Sequence, residues 1–304
     1  MPNMGKPKIG LALGSGGARG WAHIGVLRAL EERGVVPDCV AGCSMGALVG
    51  AAYVGGRLDA LEDWALSITN RKIATLIDVN LLSGGLIEAK NVVKFFEKLG
   101  IPKQIEDLSI PFAAVATDMR SGREVWMREG SVIEAMRASI ALPGIISPVL
   151  RDNRWLIDGG ITNPLPVSVC RAMGADIVIA VNPEAKKHSV MWTQEKEEPN
   201  ETWQSIKASL PLAVRSAYEA VSAAAKPQRV RPPNYFDVVA TSIDVMITQI
   251  RRSRLIGDPP HVLLDVNLDD FTILEFNRAK EAIEEGRACV GRADEALSDL
   301  SKYA

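Results

Sequence analysis

The segment Gly42-Cys43-Ser44-Met45-Gly46 matches the G-x-S-x-G pattern, in which a serine can act as a nucleophile. This chemistry needs the serine on a strained turn between a strand and a helix, with glycines on both sides so that the backbone packs closely. The flanking residues predict that context, because 38–41 has the pattern of a strand and 47–53 that of a helix. We therefore predict that Ser44 is a nucleophile. A structural turn that needs Gly42 and Gly46 only for packing is the alternative.

A serine nucleophile also requires donors for the negative oxygen that its attack creates. Residues 14–18, Gly-Ser-Gly-Gly-Ala, follow a predicted strand at 8–13 and offer successive backbone N–H groups without large side chains. The spacing of Gly14, Gly16 and Gly20 also fits a variant of a dinucleotide-binding loop. The second strand, however, leads to Ser44 and lacks the acidic residue that would bind a ribose. An oxyanion hole is therefore the favoured interpretation.

The third requirement is a general base, and the chain has three histidines. His23 is predicted to pack or cap near the glycine loop, and His188 to be a solvated residue of a charged segment. His261 would preserve the Ser–Asp–His order of an α/β-hydrolase and stays open as an alternative. Asp158 is favoured, because Asp158-Gly159-Gly160 follows a predicted strand of the same sheet. The ends of parallel strands share one rim, where Asp158 would meet Ser44.

The elements that must position these residues alternate between strand and helix. Strands are predicted at 8–13, 38–41, 111–117, 124–127, 153–157, 175–181 and 262–266. Helices are predicted at about 21–33, 47–53, 131–141 with a capping box of Ser131 and Glu134, after Asn163-Pro164, and at 203–221, 235–250 and 274–297. This alternation predicts a three-layer α/β/α domain with a mostly parallel central sheet and added C-terminal helices.

The length and composition favour one elaborated domain over residues 1–304. Its catalytic core is predicted at about 8–182, followed by a mobile charged loop at about 184–201 and a mainly helical extension at about 202–304. The 35 basic and 37 acidic residues balance closely, which argues against a nucleic-acid partner. No apolar run is long enough to span a bilayer or to serve as a signal peptide, so a soluble protein is expected.

The four cysteines lack any spacing that could hold zinc, and no cluster of histidines, cysteines or carboxylates predicts a metal site. Cys39, Cys43, Cys170 and Cys289 are therefore interpreted as reduced thiols of a cytoplasmic protein. No metal and no cofactor are expected.

Three motifs stand in order along the chain, at residues 14–20, 42–46 and 158–160. Together they resemble the signatures of the patatin-like phospholipase family, over roughly residues 8–182. Segments at 20–27, 138–144 and 257–260 are similar to the bacterial RssA-like branch of that family over nearly the full length. One departure is that the loop begins Gly14-Ser15, where plant members have Asp-Gly; the N–H donors are unaffected by it.

The resemblance implies the patatin-like fold and a serine hydrolase that cleaves the carboxylic esters of phospholipids or lysophospholipids. It implies a dyad without histidine, in which Ser44 attacks the ester, Asp158 takes its proton and an acyl-enzyme forms. The N–H groups of Gly16, Gly17 and Ala18 would hold the oxyanion, and Gly42, Gly46, Gly159 and Gly160 complete the motifs. Arg19 is a candidate contact for a lipid phosphate, with an exposed arginine at the helix start as the alternative. Cys43 is not favoured as the nucleophile, because its neighbour takes the apex of the turn.

Residues 226–254 hold six basic and two acidic residues around the amphipathic pattern at 235–250. Such a helix can bind an anionic lipid surface, and Arg251, Arg252 and Arg254 are the first candidates for that contact. A core helix or a homodimer interface would give the same pattern. Two other functions remain open: a serine esterase or thioesterase acting on soluble acyl groups, and a non-catalytic regulatory module that retains the fold.

Overall fold

The computed structural model describes residues 6–69, 89–184, 215–216, 235–268 and 271–301, which build a mixed β-sheet between two layers of helices. The strands are β1 (Ile9–Leu13), β2 (Cys39–Cys43), β3 (Phe112–Asp118), β4 (Glu124–Met127), β5 (Val149–Arg151), β6 (Arg154–Asp158), β7 (Ile177–Asn182) and β8 (Val262–Asp265). Their order is β5-β6-β3-β2-β1-β7-β8, and β4 also pairs with β3. Strands β1, β2, β3, β7 and β8 run parallel, whereas the pairs β3–β4, β3–β6 and β5–β6 are antiparallel.

The helices cover both faces of this sheet. They are α1 (Ala22–Glu32), α2 (Met45–Val54), α3 (Leu58–Leu66), α4 (Lys90–Leu99), α5 (Val132–Ser139), α6 (Val167–Ala172), α7 (Tyr235–Gly257), α8 (Ala279–Arg292) and α9 (Asp294–Ser301). Alternate residues of β1 face opposite layers: Leu11 and Leu13 join a core with α1, α2 and α8, and Ala12 joins a core with α6. The predicted three-layer α/β/α architecture with C-terminal helices is therefore confirmed.

Most predicted elements are present with boundaries shifted by a residue or two. The capping prediction is confirmed at α5, where the Ser131 hydroxyl accepts the Glu134 N–H at 3.2 Å. The prediction of a single final helix at 274–297 is wrong, because the helical chain breaks at Ala293 between α8 and α9. Strand β5 and helices α3 and α4 were not predicted from the sequence. Of the charged loop predicted at 184–201, only Glu184 is described, and it is buried. Residues 185–201 and most of the helix predicted at 203–221 lie outside the described residues.

The pairing of β3 decides where the site forms. On one edge, residues 114–117 of β3 pair with β4. The other edge is shared: Val115 is opposite Cys43 of β2, and the next residue, Ala116, is opposite Asp158 of β6. Strands β2 and β6 therefore meet end to end along one edge of β3. No helix in the described parts of the chain is long and apolar enough to cross a membrane.

Candidate active site

Ser44 occupies the turn between β2 and α2 with a backbone conformation that L residues rarely adopt, φ 54° and ψ −122°. Such strain persists only where the surrounding structure enforces it. Gly46 contributes to this enforcement, because a Cβ at that position would overlap the carbonyl of Leu13 at the end of β1. The first turn of α2 therefore passes against the end of the neighbouring strand. The predicted strand–turn–helix context of Ser44 is present.

Asp158 lies against this turn. The Ser44 Oγ donates to Asp158 Oδ2 at 2.6 Å, and the Gly160 N–H donates to Asp158 Oδ1 at 2.7 Å. Asp158 is buried, and burial raises its pKa to about 6, although the two hydrogen bonds act in the opposite direction. The structure thus brings together the serine and the aspartate singled out from the sequence, with a direct hydrogen bond between them.

The reason for this contact differs from the one expected. From the sequence, Asp158 was expected to end a strand parallel to β2, so that Asp158 and Ser44 would share one rim of the sheet. Strand β6 is instead antiparallel to β3, and it descends toward Ser44 from beyond the end of β2. Gly159 is required at this junction, since a Cβ there would overlap the carbonyl of Val115. Ser44 and Asp158 are in contact because β2 and β6 reach the same edge of β3 from opposite directions.

Ser139, the last residue of α5, holds the backbone of the turn. Its Oγ accepts the Ser44 N–H at 2.8 Å and donates to the carbonyl of Val115 at 2.6 Å. Ser139 is fully buried. One hydroxyl therefore ties the strained residue to the central strand. Sequence reasoning missed this role, and the only signal was the position of Ser139 within the segment 138–144 noted for its resemblance.

We expect Ser139→Ala to lower kcat for a short-chain nitrophenyl ester by about 10–100-fold with little change in KM. The alanine leaves the Ser44 N–H without its acceptor, and misplacement of a reacting group by about 1 Å can cost about 100-fold. Ser139→Thr keeps the hydroxyl and should retain more activity than the alanine variant. Steady-state kinetics on variants whose folding is verified by circular dichroism measure the effect. Equal losses in the alanine and threonine variants would contradict a role for the hydroxyl.

The glycine loop lies beside the same turn, and a Cβ on Gly20 would overlap the side chain of Met45. Among the described residues, no acceptor is found for the backbone N–H groups of Gly16 and Gly17. The N–H of Ala18, in contrast, donates to the carbonyl of Ile273 at 2.9 Å. Ala18 is therefore not a free donor in this structure, which corrects the predicted set of three. The loop is instead held by Ile273, a contact that no local pattern could have shown.

Two of the three histidines are placed by the structure, while His188 lies outside the described residues. His23 is buried, and its Nε2 lies 2.8 Å from the carbonyl of Gly14. Burial lowers the pKa of His23 to about 4, so near neutral pH the ring is uncharged and donates to this carbonyl. The predicted packing role is confirmed. His261 precedes β8 at the opposite end of the sheet from Ser44, where its Nδ1 accepts the Val178 N–H at 3.0 Å. It cannot complete a triad with Ser44 in this fold.

A family profile described as patatin-like phospholipase matches residues 11–171. The chain belongs to this family. An uncharacterized NTE family protein of Mycobacterium tuberculosis is 36% identical over 96% of this chain and 92% of its own length. Human patatin-like phospholipase domain-containing protein 6 is 37% identical over 57% of this chain but only 13% of its own length.

A solved structure, VipD from Legionella pneumophila, aligns with 98% of this chain and 67% of its own chain at 15% identity and a TM-score of 0.46. These values are too low to carry the assignment, which rests on the family profile and the relatives. Membership supports a lipid hydrolase. The names of these relatives do not refer to the RssA-like branch. The assignment of this chain to that branch therefore stays a prediction.

Arg19, the candidate for a lipid phosphate, is not exposed in this member of the patatin-like family. Its side chain is 1% exposed and donates to Asp244 of α7 at 2.7 Å. Its Nε also donates to the carbonyl of Gly16 at 3.3 Å. The alternative of an exposed arginine at the helix start is therefore wrong, and a phosphate contact would compete with Asp244. Arg19 joins the glycine loop to α7.

The three arginines predicted to contact a membrane differ in exposure and in pairing. Arg251 is buried and paired with Glu184, and burial together with the charge of Arg19 lowers its pKa to about 10. Arg254 pairs with Glu124 at 2.9 Å, which leaves Arg252 as the exposed member of the three. The ion pairs of Arg251 with Glu184, just after β7, and of Arg254 with Glu124 of β4 hold α7 against the sheet. Neutralising Arg251 or Arg254 would break these ion pairs and loosen α7, so such variants would not test membrane binding. Residues 226–234 of the predicted basic segment lie outside the described part of the chain.

Cys43, the neighbour of Ser44, is fully buried, and burial and the charge of Asp158 raise the pKa of its thiol well above the usual range. A thiol that resists ionisation is a poor nucleophile. All four cysteines are free and buried. Within the described residues, no group of three or more histidines, cysteines and carboxylates could hold a metal ion.

Proposed function

We propose that this patatin-like protein is a serine acyl hydrolase that cleaves carboxylic esters of phospholipids or lysophospholipids through a Ser44–Asp158 dyad. The observation that carries the proposal is the direct 2.6 Å hydrogen bond between Ser44 Oγ and Asp158 Oδ2 at a strained turn. The shared family with proteins named phospholipases supports the substrate class. A cytoplasmic location remains a prediction from the cysteine pattern.

In the first half of the reaction, Asp158 accepts the proton of Ser44 while Oγ attacks the ester carbonyl. The raised pKa favours this transfer, because a carboxylate with a pKa of about 6 is a stronger base than an ordinary one and is still ionised at pH 7. The tetrahedral oxyanion would receive hydrogen bonds from the free N–H groups of Gly16 and Gly17. Protonated Asp158 then gives its proton to the departing alcohol oxygen, and the acyl chain remains on Ser44.

In the second half, water attacks the acyl-enzyme. Asp158, ionised again, takes a proton from that water, and the oxyanion forms in the same place. Collapse of the intermediate breaks the bond to Ser44 Oγ, which recovers its proton from Asp158 as the fatty acid leaves. The Gly160 N–H stays on the other carboxylate oxygen throughout, so it keeps Oδ2 directed at Oγ.

The proposal is tested by incubating a mixed lipid extract with the wild-type protein and with Ser44→Ala, and by identifying products by mass spectrometry. We expect free fatty acid and the matching lysolipid or glycerophospho-alcohol only with wild type. The same assay with esters below and above their micellar concentration separates a lipid hydrolase from an esterase of soluble substrates, because only the former should gain activity when the lipid aggregates. A wild-type protein that is inert on all esters and unlabelled by a fluorophosphonate probe would favour the non-catalytic alternative.

Gly17→Ala is expected to lower kcat about 100-fold or more, with a smaller effect on KM. The residue has φ +55°, and an added Cβ would overlap the carbonyl of Ile273. Loop movement would displace N–H donors that matter mainly once the oxyanion forms, and loss of one such donor costs roughly 2.7–4 kcal/mol. Gly34→Ala is the matched control, because Gly34 has φ +70° but open space around it. Kinetics and thermal melts of both should show destabilisation at both positions, larger at Gly17 because of the added overlap, but a loss of kcat only at Gly17.

A further inference from the structure

The row of exposed apolar side chains beyond the catalytic end of the sheet is formed by Leu150, Trp155 and Met119. Leu150 of β5 is directly opposite Trp155 of β6, and the N–H of Met119 donates to the carbonyl of Trp155 at 2.9 Å. Neighbours across adjacent strands lie about 5 Å apart and on the same face. The three side chains are 55%, 52% and 54% exposed. They form one row, which we call the rim row.

The other face of the β5–β6 hairpin, opposite the rim row, packs against the core. Val149 and Leu156 are the next pair of the hairpin, and they face the core that contains α1 and α2. Because side chains alternate between the two faces of a strand, Leu150 and Trp155 must point away from that core. Both side chains are more than half exposed, so the layer on that face does not cover them, and the hairpin presents a tryptophan and a leucine to the surroundings.

The rim row stands close to the reacting pair. Trp155 is three residues before Asp158 on the same strand, a distance of roughly 10 Å at about 3.3 Å per residue. Strand β3 ends at Asp118 on the catalytic side, and Met119 continues it outward. Because Trp155 and Asp158 are an odd number of residues apart, their side chains leave opposite faces of β6. A surface that touches the rim row would therefore lie at the same end of the sheet as the Ser44–Asp158 pair, about 10 Å along the strand from it.

Two tight turns hold arginines around this row. The β5–β6 turn at Asp152 and Asn153 has two residues with positive φ, the conformation of a two-residue hairpin. In the β3–β4 turn, the Asp118 carboxylate accepts the Arg120 N–H at 2.9 Å and the Ser121 hydroxyl at 2.9 Å. Segments 118–123 and 150–155 contain four arginines against two aspartates, although the whole chain has a net charge of −2. Arg120, Arg123 and Arg154 are exposed.

We propose that the rim row and its arginines are the surface by which the protein docks on an anionic lipid bilayer. Tryptophan is suited to the bilayer interface because its ring is apolar and its N–H is polar, and arginines near that surface attract acidic headgroups. This inference rests on the proposed lipid hydrolase and places the bilayer at the end of the sheet where Ser44 and Asp158 lie. The rim row is a different surface from the arginines of α7, of which Arg251 and Arg254 already form ion pairs within the protein.

The test measures binding separately from hydrolysis. Ser44→Ala protein is sedimented with vesicles of phosphatidylcholine containing 30% phosphatidylglycerol and with vesicles of phosphatidylcholine alone, and the bound fraction is measured. We expect binding to the anionic vesicles, reduced at least tenfold in partition coefficient by Leu150→Ser together with Trp155→Ser. Arg120→Gln with Arg154→Gln should reduce binding to the anionic vesicles by roughly fivefold per charge. Val36→Ser is the matched control, because Val36 is 62% exposed and precedes β2 at the opposite end of the sheet.

The result expected in the Ser44-containing protein is a loss of vesicle hydrolysis at least tenfold larger than any loss on a soluble nitrophenyl ester. Equal binding of the rim-row variant and wild type, or no vesicle binding by wild type, would overturn the docking surface without touching the hydrolase proposal. Analytical ultracentrifugation checks the remaining occupant, a second copy of this chain. A wild-type dimer that the rim-row variant converts to a monomer would replace the lipid surface by a protein interface.

Discussion

Ser44→Ala is expected to abolish hydrolysis of both lipid and nitrophenyl esters, with a loss in kcat of about 10⁴-fold or more. Removal of a nucleophile destroys the acyl-enzyme route, and in serine hydrolases such losses reach roughly 10⁶-fold. The variant should fold, because the change deletes one oxygen and leaves the Ser44 backbone bond to Ser139 in place. Burst kinetics and intact-protein mass spectrometry after a fluorophosphonate probe measure the loss of the covalent adduct.

Ser168→Ala is a suitable control for this variant, because Ser168 lies in α6 and its hydroxyl accepts only from Asn163 among the described residues. It should keep near wild-type turnover and the probe adduct at Ser44. If Ser44→Ala retained a tenth of wild-type activity, Ser44 could not be the nucleophile, and the strained turn would have to be explained by packing.

Asp158→Asn should inactivate the enzyme nearly as completely as Ser44→Ala, because an amide cannot accept the serine proton. The same change should stabilise the fold near pH 7, where the buried carboxylate is ionised. Its pKa rises from 3.8 to about 6 on folding, so the folded state favours the protonated form. In the wild-type protein, this preference for protonated Asp158 stabilises the fold fully below pH 3.8, and the stabilisation is lost as the pH rises through about 6. Removing the charge should therefore raise the free energy of unfolding by roughly 1–3 kcal/mol.

Activity and stability thus change in opposite directions in one variant, which a merely damaged protein would not show. Wild-type kcat should fall as the pH drops through about 6, because protonated Asp158 cannot act as a base. A free histidine titrates close to that value, so the profile is read together with His261→Ala, which should remain active. Urea titrations at pH 7 and pH–rate profiles provide the measurements. A dead His261→Ala enzyme alongside an active Asp158→Asn enzyme would refute the dyad.

The conformation and context of Ser44 followed from local sequence. The glycines at 42 and 46 and the change from strand to helix pattern are properties of adjacent residues, and they predicted the turn that the structure contains. Asp158 was also selected correctly as the partner that lies beside Ser44. Asp158 was expected at the end of a parallel strand, whereas β6 is antiparallel to β3. The identity of the contact was therefore predictable, whereas its cause was not.

What surrounds the pair depends on contacts between residues far apart in the chain. Ala18 and Arg19 looked like free ligands of a substrate, but Ile273 takes the N–H of the first and Asp244 takes the guanidinium of the second. Sequence patterns report which face of an element is apolar, and they do not report which distant carbonyl or carboxylate arrives beside a loop. The sequence by itself determined the layers of this protein and singled out the two residues, Ser44 and Asp158, that meet in the structure. The tertiary structure alone decided which donors remain free for substrate, because hydrogen bonds across more than 200 residues are set by the packing of α7 and the segment before α8 against the sheet.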